Sequence, residues 1–368
     1  MESQRICKTC VLPESELFPL DSTGTCRLCR TQSTLGHIVK KADERELEHM
    51  LHLTKLHGKN RPYDCVVAWS GGRDSTFTLH ELVKRHGLRC IAVFGRTPFT
   101  PEEIIGNVHS ISEQLRVELI EVQSLPNHKE IASYCLKEYV RTQEPILINL
   151  ACASCKYINK EIFKQAQRLG VRTVIYGGNR FEYFPSGPAS IDIDTVDRYS
   201  LFNMVRDNAS RILKGAETLL ASPALLRHFL TFFGASILYV NQYSVFMCLR
   251  YPSVLRFDYF HFADWNEQRI TSELAKLGWK VPPGCTSTWR ADCIFEAVKN
   301  SAFKAQLGFT YAEAMFSNLI RANKISRDVA LGRLKKEGIS EPRLKEALLA
   351  CEIPVDAFKK QATPLAAA

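Results

Sequence analysis

One string limits what this chain can fold into more than any other. It is Ser70-Gly71-Gly72-Arg73-Asp74-Ser75, set directly after an apolar run at 63–69 and opening a helical pattern that reaches residue 86. Two adjacent glycines let the backbone approach an anion closely. The amides of the following helix's first turn then point at that anion, and the helix dipole favours negative charge. Arg73 is expected to add charge-assisted phosphate contacts. Asp74 is expected to serve as a ligand of Mg²⁺ or as a group behind its ligands. A tight structural turn is the plain alternative for a Gly-Gly pair. The usual triphosphatase loop, GxxxxGK[ST], is absent from the chain.

Strand and helix signals alternate around this loop. Apolar runs at 63–69, 89–94, 118–122 and 173–176 read as strands. Helical patterns at 74–86, 128–141 and 155–169 lie among them, with an apolar segment at 146–150. Thr100-Pro101-Glu102-Glu103 predicts one more helix start, with Thr100 as cap, Pro101 at the first position and Glu103 completing a capping box. The spacing is that of βαβ units, so the fold class is α/β with a doubly wound parallel sheet, whose ligand lies at the carboxyl ends of the strands. Gly177-Gly178-Asn179 ends the 173–176 strand at that same edge. We divide the chain into a cysteine-framed ribbon at 1–35, a connecting helix at 36–60, the sheet domain at 61–195 and a mainly helical substrate or partner domain at 196–368. The last is broken at Pro252, at Pro282-Pro283-Gly284 and near Gly338.

The cysteines carry the second signal. There are 13, and in the cytosol such thiols point to metal or redox chemistry rather than disulfides. Cys7-x2-Cys10 and Cys26-x2-Cys29 stand fifteen residues apart. Each pair turns two thiolates toward one ion, and two pairs complete a closed tetrahedral zinc site of structural or docking character. Cys152-x2-Cys155 opens a helix, where thiol acidity rises. It reads as a metal half-site, as a redox or sulfur-carrying pair, as two ligands of an iron–sulfur cluster completed by Cys285 or Cys293, or as inert buried thiols. Thr286-Ser287-Thr288-Trp289-Arg290-Ala291-Asp292-Cys293 gathers hydroxyls, Arg, Asp and Cys. It reads either as a pocket wall or as a helix start capped by Ser287 or Thr288.

The formal net charge of +9 permits a polyanionic partner without requiring one, since no dense basic run is present. The polar start Met1-Glu2-Ser3-Gln4-Arg5 carries no apolar leader, so a cytoplasmic protein is expected. The charge-free stretch 229–249 is interrupted by Asn241-Gln242-Tyr243-Ser244. It is expected to form a buried helix or strand pair rather than a membrane span.

The loop string resembles the signature of the PP-loop ATP pyrophosphatases, Ser-Gly-Gly-x-Asp-Ser. That resemblance implies ATP and Mg²⁺ as cofactors. It implies attack by a substrate oxygen on the α phosphate, release of pyrophosphate, and displacement of AMP by a nitrogen or sulfur nucleophile. It further implies that adenine lies near Val93 and Phe94 and that Gly177, Gly178 and Asn179 form a second nucleotide loop. Within that superfamily the chain is most similar to the N-acetyl sugar amidotransferases of surface-polysaccharide biosynthesis. The likeness runs through Cys7-Lys8-Thr9-Cys10-Val11-Leu12-Pro13, Asp21-Ser22-Thr23-Gly24-Thr25-Cys26, Tyr63-Asp64-Cys65-Val66-Val67, Leu277-Gly278-Trp279, Arg290-Ala291-Asp292-Cys293 and Ile325-Ser326-Arg327. The chain differs from that branch in having Arg73 where lysine is common. This likeness implies a sugar acceptor and a separate glutaminase partner that supplies ammonia. The tRNA-thiolating sulfur transferases are similar too. They imply a 4Fe–4S cluster on Cys152, Cys155 and Cys293, with those residues in catalysis and tRNA as partner. A non-catalytic zinc-ribbon module that senses nucleotide is the third alternative.

Overall fold

The computed structural model describes residues 4–15, 18–30, 43–144, 146–182 and 226–361. The boundary at 195/196, the junction between ribbon and connecting helix, and the C-terminal alanines lie outside them. A connecting helix α1 (Glu44–Gly58) leads into the sheet, capped by the Asp43 carboxylate. The sheet has five parallel strands: β1 (Cys65–Trp69), β2 (Cys90–Arg96), β3 (Glu118–Gln123), β4 (Thr173–Tyr176) and β5 (Leu255–Asp258). Their order is β3-β2-β1-β4-β5. The chain therefore moves outward from β1 on one side and returns to its other side with β4. The loops after β1 and β4 part at this switch point and leave a crevice there.

Every residue of β1 is buried, as expected for a central parallel strand covered on both faces. Cys65, Val67 and Trp69 face one core together with Phe77 and Leu79 of α2 (Arg73–His80), while Val66 and Ala68 face the other together with Ile162, Phe163 and Ala166 of α5 (Tyr157–Arg168). The helix α2 continues as a π-helical turn over Glu81–Arg85. The helices α3 (Glu102–Leu115) and α4 (His128–Thr142) complete this half, and Ile146–Leu150 is a short helix rather than a strand.

One local expectation is corrected. Thr100 does not cap α3: its Oγ1 accepts from the Thr97 amide at 3.0 Å, and Pro101 takes the cap position without a side-chain bond. The mainly helical region after residue 196 also supplies an edge strand, Leu255–Asp258, in register with β4. Beyond β5 come α6 (Glu267–Lys276), α7 (Phe295–Leu307), α8 (Tyr311–Arg321), α9 (Arg327–Leu334) and α10 (Glu341–Ala350). The stretch 229–249 breaks into Phe229–Phe233, a π-helical turn Gly234–Leu238 and Val245–Arg250. Among the described residues no helix is long and apolar enough to cross a membrane.

The N-terminal residues fold as the two knuckles of a ribbon. The Cys7 amide donates to the Leu12 carbonyl at 2.9 Å, and the Lys8 amide to the Gly24 carbonyl at 2.9 Å, which joins the knuckles. The ribbon packs on the chain's own C-terminal helices. Arg327 of α9 donates to the Cys7 and Cys10 carbonyls, and the Val11 amide donates to Ser317 of α8.

Candidate nucleotide site and cysteine centres

The Ser70-Gly71-Gly72 turn leaves β1 and enters α2 with Gly72 at the cap. Gly71 has φ +77°, and a Cβ there would stand 2.5 Å from Ile104 Cγ2 of α3. Glycine is thus required both for the conformation and for the close packing. The loop's hydroxyls hold it internally. Ser70 Oγ lies 3.0 Å from Ser75 Oγ, and Ser75 and Thr76 both donate to the Gly72 carbonyl. From behind, Trp279 Nε1 donates to the Gly71 carbonyl at 3.0 Å.

The second loop meets the first directly. A Cβ on Gly177 would fall 2.4 Å from Ser75 Cα, and one on Gly178 would fall 2.7 Å from Asp258 Oδ1. Asn179 Nδ2 donates to Asp74 Oδ2 at 2.5 Å. Asp74 also accepts from Trp265 Nε1 at 3.0 Å and from Arg73 Nε at 2.8 Å. The structure therefore brings Ser70, Gly71, Gly72, Asp74, Ser75, Gly177, Gly178 and Asn179 together.

Three expected residues are buried. Arg73 is 3% exposed, with its guanidinium stacked on the Trp289 ring and beside that of Trp265. Burial alone would lower its pKa, but Asp74 and Glu267 raise it above the ordinary value, so it stays charged. Val93 and Phe94 are both fully buried: Phe94 packs under Gly71, and Val93 lies in the opposite core. The two side chains therefore lie on opposite faces of β2, beneath the strand end where adenine is expected.

Sequence reasoning left Asp292 and Glu182 without individual roles. Thr288 caps no helix. It accepts from Arg73 at 2.9 Å, and α7 begins only at Phe295, so the 286–293 segment is a wall of the site rather than a helix start. Its Asp292 carboxylate lies over the loop, with Oδ2 2.9 Å from where a Gly72 Cβ would be. Glu182 pairs with Arg290 at 2.7 Å, and burial raises its pKa above the usual carboxylate value. Behind this wall lies a cleft of about 560 Å³ including its open mouth, lined among others by Trp289, Arg290, Tyr311, Glu337 and Arg343. The one available signal was the tryptophans. An indole N–H needs a partner when buried, and Trp69, Trp265 and Trp279 all bond around this loop.

Cys7, Cys10, Cys26 and Cys29 are buried with all four sulfurs within 4.8 Å of one another. Sulfurs about 2.3 Å from a zinc ion stand about 3.8 Å apart in a tetrahedron, and Cys10 Sγ and Cys26 Sγ are 3.8 Å apart. The donor set fits a zinc ribbon. Hydrogen bonds from the Cys26 and Cys29 thiols bring Cys10 down to about 6. The cluster abuts Arg321, whose Nη1 lies 3.7 Å from Cys29 Sγ.

Cys152, Cys155 and Cys293 influence one another electrostatically. They do not converge as the ribbon thiols do: among the described residues the ribbon alone gathers three or more ligand atoms within 4.8 Å. Cys155 Sγ stands 3.5 Å from His128 Nε2, and His128 Nδ1 stands 2.9 Å from Ser124 Oγ. Burial pushes Cys155 up and Cys293 up to about 12, and brings His128 down to about 4. Cys285 lies apart, 2.7 Å from Arg343 Nη1.

No family model matches the chain. An uncharacterized protein of Methanocaldococcus jannaschii is 24% identical over 135 residues, covering 36% of this chain and 44% of that protein's length. Among solved structures, the chain is similar to an NMN synthetase from Francisella tularensis (12% identity, 82% of this chain and 94% of that one, TM-score 0.37). It is similar to an NH3-dependent NAD synthetase from Campylobacter jejuni (14%, 52% and 93%, TM-score 0.27). It is also similar to the U34-tRNA thiolase NcsA from Methanococcus maripaludis, a structure with a 4Fe–4S cluster (13%, 95% and 89%, TM-score 0.31). TM-scores this low leave function to be argued from the site itself.

Proposed function

We propose that this chain is an adenylating ATP pyrophosphatase that acts as an amidotransferase on an N-acetyl sugar. The observation that carries the ATP chemistry is the Ser70–Ser75 turn at the switch point, where glycine packing and the open first turn of α2 make a phosphate cradle. The acceptor's amide oxygen attacks the α phosphorus, and pyrophosphate leaves. Ammonia then adds to the activated carbon, AMP departs with the oxygen, and loss of a proton leaves an amidine. Mg²⁺, when bound, neutralises phosphate charge. Asp292 would hold it, since its carboxylate lies over Gly72, with Asp74 behind. The 560 Å³ cleft is the acceptor's place, ammonia comes from a separate glutaminase, and the ribbon carries zinc. The reaction belongs in the cytoplasm, where ATP and reduced thiols are at hand.

One observation favours a second reading. Cys152, Cys155 and Cys293 lie near enough to influence one another electrostatically, as a cluster used for sulfur transfer to tRNA would need. The test is product analysis after anaerobic purification. The sugar reading expects a colourless zinc protein that releases AMP and pyrophosphate with ammonia and an N-acetyl sugar. Asp74→Ala should lower that rate roughly a hundredfold or more. About four irons and four sulfides per chain, lost in Cys152→Ala, would replace amidotransfer by thiolation. ADP and phosphate as products would end both.

A further inference from the structure

Arg73 stands where a cation would be expected to meet phosphate, yet two of its three guanidinium nitrogens are committed elsewhere. Nε donates to Asp74 Oδ1 at 2.8 Å, and Nη1 donates to Glu267 Oε1 at 2.8 Å and to Thr288 Oγ1 at 2.9 Å. Its Cζ lies 3.9 Å from the centre of the Trp289 ring, a stacking distance that a planar guanidinium suits. The pairing continues outward. Glu267 Oε2 accepts from Arg333 Nη1 at 2.6 Å, and Arg333 Nε donates to Glu337 Oε1 at 2.6 Å. Asp74, Arg73, Glu267, Arg333 and Glu337 thus form a ladder of alternating sign. It starts at the phosphate loop and ends on the lining of the acceptor cleft. Glu267 opens α6 and Arg333 lies on α9, so the ladder crosses from the sheet to the C-terminal helices.

A buried charge that lost one such partner would be left uncompensated, so the rungs hold one another in place. The Asp74 carboxylate is fixed through Arg73 on one oxygen and through Trp265 and Asn179 on the other. A phosphate contact through Nε or Nη1 would require Arg73 to give up Asp74, Glu267 or Thr288, and Nη2 is buried without a partner.

We propose that Arg73 is a positioning residue: it holds Asp74 and the phosphate loop against the C-terminal wall through Glu267 and does not touch ATP. The proposal rests on the nucleotide reading above. It makes the geometry of the loop depend on the region that receives the acceptor. Lysine at this position would keep the charge and lose the fork that grips two carboxylates at once.

The test is a double-mutant cycle on the full chain with Arg73→Lys, Glu267→Gln and the pair. It reads MgATP affinity by calorimetry, kcat for AMP formation, and the melting midpoint. Each single change is expected to lower kcat about tenfold while leaving the MgATP Kd within about threefold, and the double variant should be no slower than the slower single. Retained kcat in Arg73→Lys overturns the proposal. So does a tenfold weaker MgATP Kd confined to Arg73→Lys, or multiplying effects in the pair. If an Arg73 variant does not fold, Arg333→Lys paired with Glu267→Gln tests the next rung by the same criterion. If the unaltered protein binds MgATP but forms no AMP with any acceptor, adenylation fails. The proposal is then judged by the melting cycle, where additive losses overturn it. If the unaltered protein does not bind MgATP, both fall.

Discussion

The chain uses the Cys-x2-Cys spacing three times, and the ribbon pairs and the third pair end in different surroundings. In the ribbon, Cys7, Cys10, Cys26 and Cys29 surround a point, and the Cys26 amide donates to Cys7 Sγ at 3.3 Å. Hydrogen bonds among the four thiols lower Cys7 and Cys10 and raise Cys26 and Cys29, so the four share their protons as one group. In the third pair, Cys152 and Cys155 lie within one turn of 3₁₀ helix, and burial raises both, favouring the thiol. Spacing sets a local turn in each place. Whether that turn becomes a metal centre depends on what distant segments bring to it: a second knuckle and Arg321 in one case, neutral His128 and Cys293 in the other.

The comparison breaks most visibly at Cys26. Replacing it with serine takes away one of four ligands, and structural zinc contributes on the order of 10 kcal/mol or more to small metal-bound folds. We expect Cys26→Ser to lose its metal and to expose residues 4–30 to protease, whereas Cys155→Ser retains the ribbon metal in full. Metal analysis with limited proteolysis measures both. A ribbon that keeps its metal in Cys26→Ser removes the distinction.

The side of the third pair is sharpened by pH. His128 is fully buried and has a folded pKa of about 4 against an ordinary 6.5. Below 6.5 the unfolded chain takes up a proton that the folded chain refuses, so stability is lost as pH falls from 6.5 toward 4. The full effect is roughly 3 kcal/mol. Melting midpoints recorded from pH 7 to 4 should fall more steeply in the unaltered protein than in His128→Gln. Parallel curves would mean that His128 takes up its proton while folded, and that its surroundings are wetter than its burial indicates.

The sequence was informative where the signal is local. Strands β1 to β4 and the phosphate loop follow from apolar runs and a Gly-Gly turn a few residues long. The ribbon ligands follow from spacing alone. What escaped is long-range. Trp265 meets Asp74 across 191 residues, Trp279 meets Gly71 across 208, and Glu267 meets Arg73 across 194. No periodicity encodes such meetings. The fifth strand escaped for another reason: Leu255–Asp258 alternates apolar and charged residues over only four positions, inside a region whose other signals are helical, and it is paired only to β4. The partners of Arg73 escaped as well, because charge near a phosphate loop says nothing of which way a long side chain turns.

The smallest expected effect concerns Arg321, which separates the two cysteine centres by electrostatics alone. Four thiolates around a divalent ion carry a net charge of about −2, and a buried site needs that charge offset. Arg321 is 2% exposed, with Nη2 bonded to Asn318 Oδ1 at 2.6 Å and Nη1 beside Cys29. The helix α8 thus carries a fixed cation to the ribbon, and no comparable guanidinium bond is made to Cys152 or Cys155 among the described residues. Groups that steady metal ligands in this way typically account for 10–100-fold in affinity. Arg321→Gln should therefore release its metal to a competing chelator about tenfold more readily. Arg321→Lys should fall between that variant and the unaltered protein, because it restores the charge without the second bond. Equal metal retention in all three would show that the ribbon holds its ion through the four sulfurs and their backbone donors alone. The docking of the ribbon on α8 would then be packing rather than charge compensation.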